Sequence, residues 1–293
     1  MDEPLILVTG STGKTGTPVV RLLRKRGHRV RALVRKLDER AERLAELGAE
    51  TVVGDYHDLS SIREAMKGVR RVYFCYPAQG DRLLQAATNV AIATRDEGVR
   101  GLVNMSQISA REQTASPLAY QHWQSEHVFD WADIGAAHVN PTFFAEDLYL
   151  FSGRTIASEG KMILPFGEGS HAPVAVEDIA RVVSGILEDP EPHARQRYVV
   201  TGPKNMKPAE MAEVLAEVLG KPVTYVNLPI EEWRTLLVEK VGFPEPLVAH
   251  LAAVAQDYQD GVFAGVTDVV ERIGGQPPQS LADFVRANER EFH

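Results

Sequence analysis

Residues 8–16 read Val8-Thr9-Gly10-Ser11-Thr12-Gly13-Lys14-Thr15-Gly16 and follow the apolar run 5–8. The three glycines have separate roles at such a strand-to-helix turn. Gly10 permits the tight turn, Gly13 lets the backbone approach a pyrophosphate, and Gly16 lets the helix pack closely on the strand. Because free N–H groups at the start of a helix attract an anion, we predict a dinucleotide-binding loop rather than an ordinary glycine-rich turn.

The same alternation of strand and helix continues through the first half of the chain. Short apolar runs predict strands at 5–8, 30–34, 51–53, 72–75, 102–105 and 137–139. Amphipathic segments between them predict helices, including those at 81–97 and 118–132. Apolar strands that alternate with amphipathic helices are typical of buried parallel strands joined by right-handed crossovers. The pattern therefore predicts an α/β fold, a doubly wound parallel sheet of the Rossmann type.

The second half of the chain is less regular, with many glycines and prolines between 153 and 173. Helices are predicted over 177–187, 208–219, 231–241 and most of 246–292, and one more strand over 198–201. We therefore divide the chain into a dinucleotide-binding Rossmann core, 1–150, and a mixed region, 151–293. The second region is expected to return one or more elements to the core. It is also expected to form a smaller, mainly helical substrate lobe over the carboxyl ends of the strands.

Composition excludes several classes of protein. The 293 residues include 32 Lys and Arg against 40 Asp and Glu, and the net charge of −8 argues against a nucleic-acid partner. The single cysteine, Cys75, excludes an intramolecular disulfide and a cysteine-based zinc site. The chain has no run of about 18 apolar residues, and its first residues lack the basic start and cleavage site of a secretory signal. We expect a cytoplasmic protein that acts on a small molecule, with neither nucleic acid nor membrane as a partner.

The end of the glycine loop also resembles the phosphate loop of nucleoside triphosphatases, because Lys14 and Thr15 follow Gly13. That loop requires a further glycine five positions before Gly13, and this position is Val8. In addition, no later predicted strand ends in an obvious magnesium-binding aspartate beside the loop. Nucleotide hydrolysis is therefore disfavoured.

The end of the second predicted strand bears on the choice of cofactor. An NAD-selective site has a carboxylate here that binds both ribose hydroxyls, whereas this chain has Arg35 and Lys36. Arg35 can stack on adenine and pair with the 2′-phosphate of NADP, and Lys14 can reach the same group. The alternative is that Arg35 and Lys36 are a solvated strand end. Given the glycine loop, we favour NADP over NAD.

Further motifs follow the glycine loop in order along the chain. They are Arg31-Ala32-Leu33-Val34-Arg35, Gly54-Asp55, Ser116-Pro117-Leu118, Pro141-Thr142-Phe143-Phe144, Val176-Glu177-Asp178-Ile179-Ala180, Tyr198 to Pro203 and Gly275 to Ser280. Over essentially the whole chain, this set resembles the NmrA-like family of atypical short-chain dehydrogenases/reductases. The residues that the resemblance implies for NADP binding are Gly10, Thr12, Gly13, Thr15, Gly16 and Arg35. It also implies that Asp55 lies near the adenine, with Tyr76 and Pro77 near the nicotinamide ribose.

The predicted helix 118–132 contains the candidate catalytic residues. Typical short-chain dehydrogenases use Tyr-x-x-x-Lys on this helix, and the i, i+4 spacing places both side chains on one face. In this chain Tyr120 and Gln124 occupy the two positions. Gln124 can hydrogen-bond ribose hydroxyls, but it carries no charge that would acidify the tyrosine. Ser106 or Ser109 can take the part of the serine that ends the preceding strand.

His122 and Glu126 are also four residues apart on this helix. One interpretation makes His122 a proton donor that Glu126 holds in place. The other, which we favour, is an exposed ion pair or hydrogen bond of small value. His127 and Asp130 do not extend the pair into a metal site, because positions 122 and 127 diverge on a helix; no metal is expected.

These residues predict an NADPH-dependent reductase of a small, flat, electron-poor molecule such as an imine, an enone or a quinone. Hydride transfer to such an acceptor depends mainly on correct placement. Phe143 and Phe144 follow the sixth predicted strand, where a substrate would lie, and are candidates for an aromatic pocket. The alternative is a non-catalytic NADP-binding sensor, since some NmrA-like proteins are dinucleotide sensors. An aromatic-lined cavity beside the nicotinamide would favour the enzyme.

Overall fold

The computed structural model describes residues 3–78 and 82–293. Its strands are β1 (Leu5–Val8), β2 (Arg29–Val34), β3 (Glu50–Val53), β4 (Val69–Phe74), β5 (Leu102–Met105), β6 (Ala136–Pro141), β7 (Lys161–Leu164), β8 (Arg197–Val200) and β9 (Thr224–Asn227). Seven of them form one sheet in the order β3-β2-β1-β4-β5-β6-β8, and all six neighbouring pairs are parallel. The predicted doubly wound Rossmann sheet is therefore confirmed.

Helices cover both faces of this sheet. They are α1 (Gly16–Lys25), α2 (Glu39–Glu46), α3 (Leu59–Met66), α4 (Leu83–Asp96), α5 (Pro117–Trp131), α6 (Glu146–Glu159), α7 (Val176–Glu188), α8 (Pro208–Leu219), α9 (Ile230–Leu236), α10 (Glu245–Gln259), α11 (Val269–Gly274) and α12 (Leu281–Ala287). One face packs against α1, α2, α7 and α11, and the other against α3, α4 and α5. Because both faces are covered, β1, β5 and β6 are buried along their whole length. The wholly apolar sequence of β1 follows from this burial.

Residues 151–293 contribute both to the sheet and to a separate lobe. From this region, α7 packs against α1, and β8 pairs with β6 at the edge of the sheet. The second lobe has its own apolar core around Phe166, Tyr258 and Phe284. It also contains a two-stranded parallel sheet, β7 with β9, which the sequence did not predict.

The stretch after residue 153 is more regular than its glycines and prolines indicated, because α6 continues to Glu159 and β7 covers Lys161–Leu164. The boundary drawn between residues 150 and 151 falls inside α6. Gly153 obscured this helix, since glycine weakens a helical pattern. The structure gives a reason for the glycine: a Cβ at this position would lie 2.7 Å from the carbonyl oxygen of Glu291. A tertiary contact therefore selects a residue that local propensity disfavours.

The helix predicted over 81–97 is present as α4, which begins at Leu83. Its predicted first residue, Asp81, lies outside the described residues. Within the described ranges, no helix is long and apolar enough to cross a membrane. The same residues include no group of three or more His, Cys, Asp or Glu side chains that could hold a metal ion.

Candidate cofactor and substrate site

The glycine loop joins β1 to α1 at the carboxyl edge of the sheet. Gly10 has φ +58°, and a Cβ there would lie 2.7 Å from the carbonyl oxygen of Cys75. A Cβ on Gly16 would lie 2.2 Å from the carbonyl oxygen of Gly10. Gly13 differs, because it is exposed and its Cβ would meet only the Gly10 oxygen, at 3.1 Å. Gly10 and Gly16 are thus required by packing within the protein, whereas Gly13 leaves open space above the loop.

Side chains beneath the loop hold it in place. The Ser11 hydroxyl donates to the carbonyl oxygen of Leu33 over 2.7 Å, which ties the loop to β2. The Tyr73 hydroxyl donates to Thr15 Oγ1 over 3.0 Å, which ties it to β4. The Thr15 side chain is buried in this contact. Of Thr15, it is therefore the backbone N–H at the start of α1, and not the hydroxyl, that could bind an anion. Thr12 is half-buried and keeps its side chain at the loop surface.

Lys14 reaches from the glycine loop to the second half of the chain. Its ammonium nitrogen lies 3.8 Å from Asp147 Oδ1, at the start of α6. Asp147 Oδ2 also accepts a hydrogen bond from the Phe144 backbone N–H over 3.2 Å. Burial raises the pKa of Asp147 to about 6, although the Lys14 charge acts to lower it. Asp147 was not among the predicted site residues.

Arg35 and Asp55 follow β2 and β3, which are neighbours in the sheet. Both residues are exposed at its carboxyl edge. Asp55 Oδ1 accepts the His57 backbone N–H over 2.9 Å, and the Asp55 N–H donates to the Ser61 hydroxyl over 2.8 Å. These contacts fix the turn after β3 and the orientation of the Asp55 carboxylate.

Tyr76 and Pro77 follow β4, next to β1, where the strand order reverses. Ligands of doubly wound sheets bind at this switch point. The Tyr76 hydroxyl is hydrogen-bonded to His57 Nε2 over 3.3 Å, and its ring lies 5.5 Å from that of Tyr56. The Tyr56 hydroxyl in turn donates to the Cys75 carbonyl oxygen over 2.7 Å. An aromatic cluster therefore supports the segment predicted to face the nicotinamide ribose.

On α5, the predicted catalytic residues fall on two different sides of the helix. Tyr120 is 38% exposed and stacks on Trp123 at 5.5 Å, on the same side as the largely exposed Trp131. Gln124 is half-buried beside Tyr120. His122 is buried on the opposite side, because a step of two residues turns a helix by about 200°. Tyr120 and Gln124 share a face as predicted from their spacing, but His122 does not share it.

The predicted contact between His122 and Glu126 is wrong in both of its forms. Glu126 is 2% exposed, and its described hydrogen bonds come from other elements. They are donated by Ser106 Oγ over 2.6 Å, by Asn140 Nδ2 over 2.7 Å and by Arg197 Nε over 2.8 Å. Nδ1 of His122 is buried without a hydrogen-bond partner among the described residues. The i, i+4 spacing did not reveal these competing donors, because they come from the residue after β5, from β6 and from β8.

The carboxylate of Glu126 belongs to a longer buried polar network. Arg197 also pairs with Asp130 over 2.8 Å, and Asp130 accepts from His138 Nε2 over 3.1 Å. Burial acts to raise the pKa of Asp130, but the hydrogen bonds from His138 and Arg197 outweigh it and leave that pKa lowered. The sequence contained one signal of this network. His138 and Asn140 are polar residues within a strand that reads as buried, and buried polar groups require partners.

The side chains of Phe143 and Phe144 pack in two different apolar cores and do not line one pocket together. Phe143 is half-buried and stacks on Phe263 with ring centroids 4.9 Å apart, in the core of the second lobe. Phe144 packs against the Rossmann core. A cavity of about 730 Å³ lies in the second lobe, and its lining includes Pro229 and Gln256 but neither phenylalanine. This cavity is therefore not the aromatic-lined cavity that would favour an enzyme.

Three buried histidines predict a loss of stability in mild acid. Burial lowers the pKa of His122 and His171 to about 3 and that of His250 to about 4, whereas an unfolded histidine titrates near pH 6.5. Only the unfolded chain takes up these protons just below pH 6.5. The stabilisation is therefore complete above that pH and is lost as the pH falls toward the folded values. Each histidine should cost about 2 kcal/mol at pH 5, measurable by urea unfolding.

His122→Gln tests this assignment directly. Between pH 7 and pH 5, the variant should lose about 2 kcal/mol less stability than the wild type, because one titrating group is gone. His293→Gln, at the exposed end of the chain, is the matched control and should lose as much as the wild type. Equal losses in all three proteins would contradict burial of His122 as a cause of the acid sensitivity.

The sheet and the glycine loop define a Rossmann protein, and comparison with known sequences gives its family. The chain belongs to the NmrA-like family, whose sequence profile matches residues 2–282. The resemblance drawn from the motifs is thereby confirmed.

Several reductases are similar to the chain along nearly its full length. An NAD(P)H azoreductase from Xenophilus azovorans is 31% identical over 290 residues, which cover 98% of this chain and 99% of that protein. The structure of an NADPH-dependent quinone oxidoreductase from Escherichia coli superposes with a TM-score of 0.85 at 25% identity, over 97% of this chain and 99% of that one. The triphenylmethane reductase of a Citrobacter species, solved with NADP(H), gives a TM-score of 0.84 at 27% identity, over 96% and 99% of the two chains.

Proposed function

We propose that this protein is an NADPH-dependent reductase that transfers hydride to a small, flat, electron-poor organic acceptor, such as an imine, an enone or a quinone. The observation that carries the proposal is the glycine loop at the switch point of the sheet, with Arg35 exposed at the end of the neighbouring strand. The similarity to an azoreductase, a quinone oxidoreductase and a triphenylmethane reductase supports this choice.

The residues at the carboxyl edge fit a dinucleotide. Gly13 leaves the space that a pyrophosphate needs, and the N–H groups at the start of α1 would bind its oxygens. Thr12 and Lys14 lie at the surface of the same loop. Arg35 would pair with the 2′-phosphate, and Asp55 would lie near the adenine. Tyr76 and Pro77 would border the nicotinamide ribose.

Arg35→Ala should weaken NADP binding by about 10- to 150-fold, because it removes a charge-assisted pair of about 1.5–3 kcal/mol. NAD binding should change little, since NAD has no 2′-phosphate. Calorimetry with both cofactors measures the difference. Lys36→Ala is the matched control, because Lys36 is exposed and lies 3.8 Å from Asp38; its effect should be smaller. Equal affinity of the native protein for NADP and NAD would contradict the assignment.

Hydride transfer to such an acceptor depends more on the placement of the acceptor beside the nicotinamide than on acid catalysis. A bound reduced nicotinamide supplies the hydride, and an imine or a quinone accepts it with little or no proton donation. The protein must hold the acceptor over the cofactor, exclude water and orient the ring. Tyr120 can donate a hydrogen bond at neutral pH, but Gln124 gives it no neighbouring charge.

Tyr120→Phe should therefore reduce turnover by about tenfold or less, below the 10²–10⁴ contribution of a general acid. Single-turnover NADPH oxidation measures this effect separately from product release. Gln124→Lys is the companion variant, since restoring the cation should not be needed for activity. A thousandfold fall in Tyr120→Phe with intact cofactor affinity would make Tyr120 the proton donor.

A screen of NADPH oxidation against quinones, cyclic imines and enones tests the proposed activity. Calorimetry with NADPH is run on the same preparation, and Gly13→Val is the control that should lose both binding and turnover. Oxidation that depends on an acceptor supports the reductase. Tight NADPH binding with no oxidation for any acceptor would favour the alternative, a non-catalytic NADP-binding sensor.

A further inference from the structure

The position of His122 follows from the contact between Glu126 and Ser106. Ser106 is the first residue after β5, at the carboxyl edge of the sheet, and its hydroxyl donates to Glu126. The α5 helix runs back from this edge toward the start of β6. His122, four residues earlier on α5, therefore lies about 6 Å further out along the helix axis. Ligands of doubly wound sheets bind beyond the carboxyl ends of the strands, and this displacement carries His122 in that direction.

A second histidine reaches the same end of α5 from the other lobe. His250 belongs to α10, and its Nδ1 lies 2.7 Å from Oγ of Ser116, the residue that caps α5. The Ser116 oxygen accepts the Ala119 backbone N–H, and in one tautomer of His250 the Ser116 hydroxyl donates its hydrogen to His250 Nδ1. A neutral His250 then carries its hydrogen on Nε2. α10 also packs against α5, and after burial the electrostatic influence of His250 is the second cause that lowers the pKa of His122.

Two buried polar atoms, one on α5 and one in the loop after β5, lack hydrogen-bond partners in the described ranges. His122 is 8% exposed, and its buried Nδ1 has no hydrogen-bond partner in the described ranges. Oγ of Ser109, in the loop after β5, is also buried without one. His171 shows the contrast, because its Nδ1 is bonded to the Tyr258 hydroxyl over 2.8 Å. A buried polar atom without a partner has lost its hydrogen bonds to water without replacement, so a ligand that completes the pairing removes this cost.

We propose that His122 and His250 form an uncharged hydrogen-bonding site, which holds the oxygen or nitrogen atom of the substrate's electron-poor double bond. This inference rests on the proposed reductase function and names the feature of the substrate that the site selects. Burial keeps both imidazoles neutral at physiological pH, since the pKa values are about 3 and 4. The site therefore favours a neutral carbonyl or imine over a carboxylate, which would need a cation as its partner.

The role of the site in the reaction follows from the movement of electrons. The acceptor carbon gains a hydride from the reduced nicotinamide, which is oxidised, and a C–H bond forms. The π electron pair moves onto the oxygen or nitrogen atom, where negative charge develops, and a proton from water then completes the O–H or N–H bond. A hydrogen bond from a buried imidazole N–H strengthens as this charge develops. His122 and His250 thus orient the acceptor and stabilise its reduced form.

Duroquinone binding to the NADP⁺-loaded protein tests the site without turnover, because the oxidised cofactor has no hydride to give. His122→Phe should weaken duroquinone binding by about tenfold or more, whereas His122→Gln, which keeps a hydrogen-bonding side chain, should stay within about threefold of the wild type. NADP⁺ affinity and circular dichroism of both variants should match the wild type. Durene, the same ring without its two oxygens, is the matched ligand and should bind wild type and His122→Phe equally.

Unchanged duroquinone affinity in His122→Phe would overturn the inference, as would an equal loss of durene binding, which would assign His122 to packing. Failure of the wild-type holoprotein to bind duroquinone would also count against it. Failure of the proposed function looks different: duroquinone would bind in a His122-dependent way, but NADPH would not be oxidised. If His122→Phe does not fold, a shift of the His122 ring ¹⁵N resonances on addition of duroquinone to the wild type supports the site, and unshifted resonances overturn it.

Discussion

Gly16→Ala should abolish NADP binding and destabilise the fold, because the new Cβ would lie 2.2 Å from the carbonyl oxygen of Gly10. Gly10 cannot move away freely, since it packs so closely against Cys75 that a Cβ on it would lie 2.7 Å from the Cys75 carbonyl oxygen, and its φ is +58°. Overpacking of this kind costs about 1–3 kcal/mol, occasionally more. We expect at least a 100-fold loss of NADP affinity, a change of about 2.7 kcal/mol. Calorimetry and urea unfolding measure the two effects.

Gly13→Val is the matched variant in the same loop, and it separates binding from folding. Gly13 is exposed, so that a branched side chain enters the space assigned to the pyrophosphate and not the protein interior. NADP binding should be lost while the free energy of unfolding stays within about 1 kcal/mol of the wild type. Undiminished binding in Gly13→Val would mean that the loop does not hold the phosphates. Wild-type stability in Gly16→Ala would contradict the close helix–strand packing.

Glu126→Ala should lower the free energy of unfolding by about 2–4 kcal/mol. The buried carboxylate accepts hydrogen bonds from Ser106, Asn140 and Arg197, and its removal leaves buried donors without an acceptor. The loss of its Glu126 partner costs Arg197 less free energy, because the Arg197 side chain is 43% exposed and keeps Asp130 as a partner. Urea unfolding at pH 7 measures the change.

The control for Glu126→Ala is an ion pair at the surface. Asp96 pairs with Arg63 over 2.6 Å, and both side chains are about half exposed. Asp96→Ala should therefore cost less than about 1 kcal/mol. Equal costs for the two variants would contradict the view that the Glu126 network contributes through burial. Glu126→Gln should cost less than Glu126→Ala, since the amide oxygen still accepts one hydrogen bond.

The sequence was most informative where structure depends on neighbours along the chain. The glycine loop, the buried parallel strands and most of the helices were predicted correctly, because chain periodicity and glycine spacing encode them locally. The second lobe was predicted less well. Its two-stranded sheet joins segments separated by about sixty residues, and the glycine in α6 is chosen by a contact with the last turn of the chain.

By itself, the sequence determined the Rossmann core, the glycine loop between β1 and α1, and the positions of Arg35 and Asp55 after β2 and β3. Only the tertiary structure decided that Glu126 binds the strand residues and not His122, and that Lys14 reaches Asp147. The reason is physical. A local sequence pattern fixes the face of a helix on which a side chain lies, but it does not fix which groups on other elements will form hydrogen bonds with that side chain. Those partners depend on strand register and on the packing of the second lobe, which bring together residues distant in the chain.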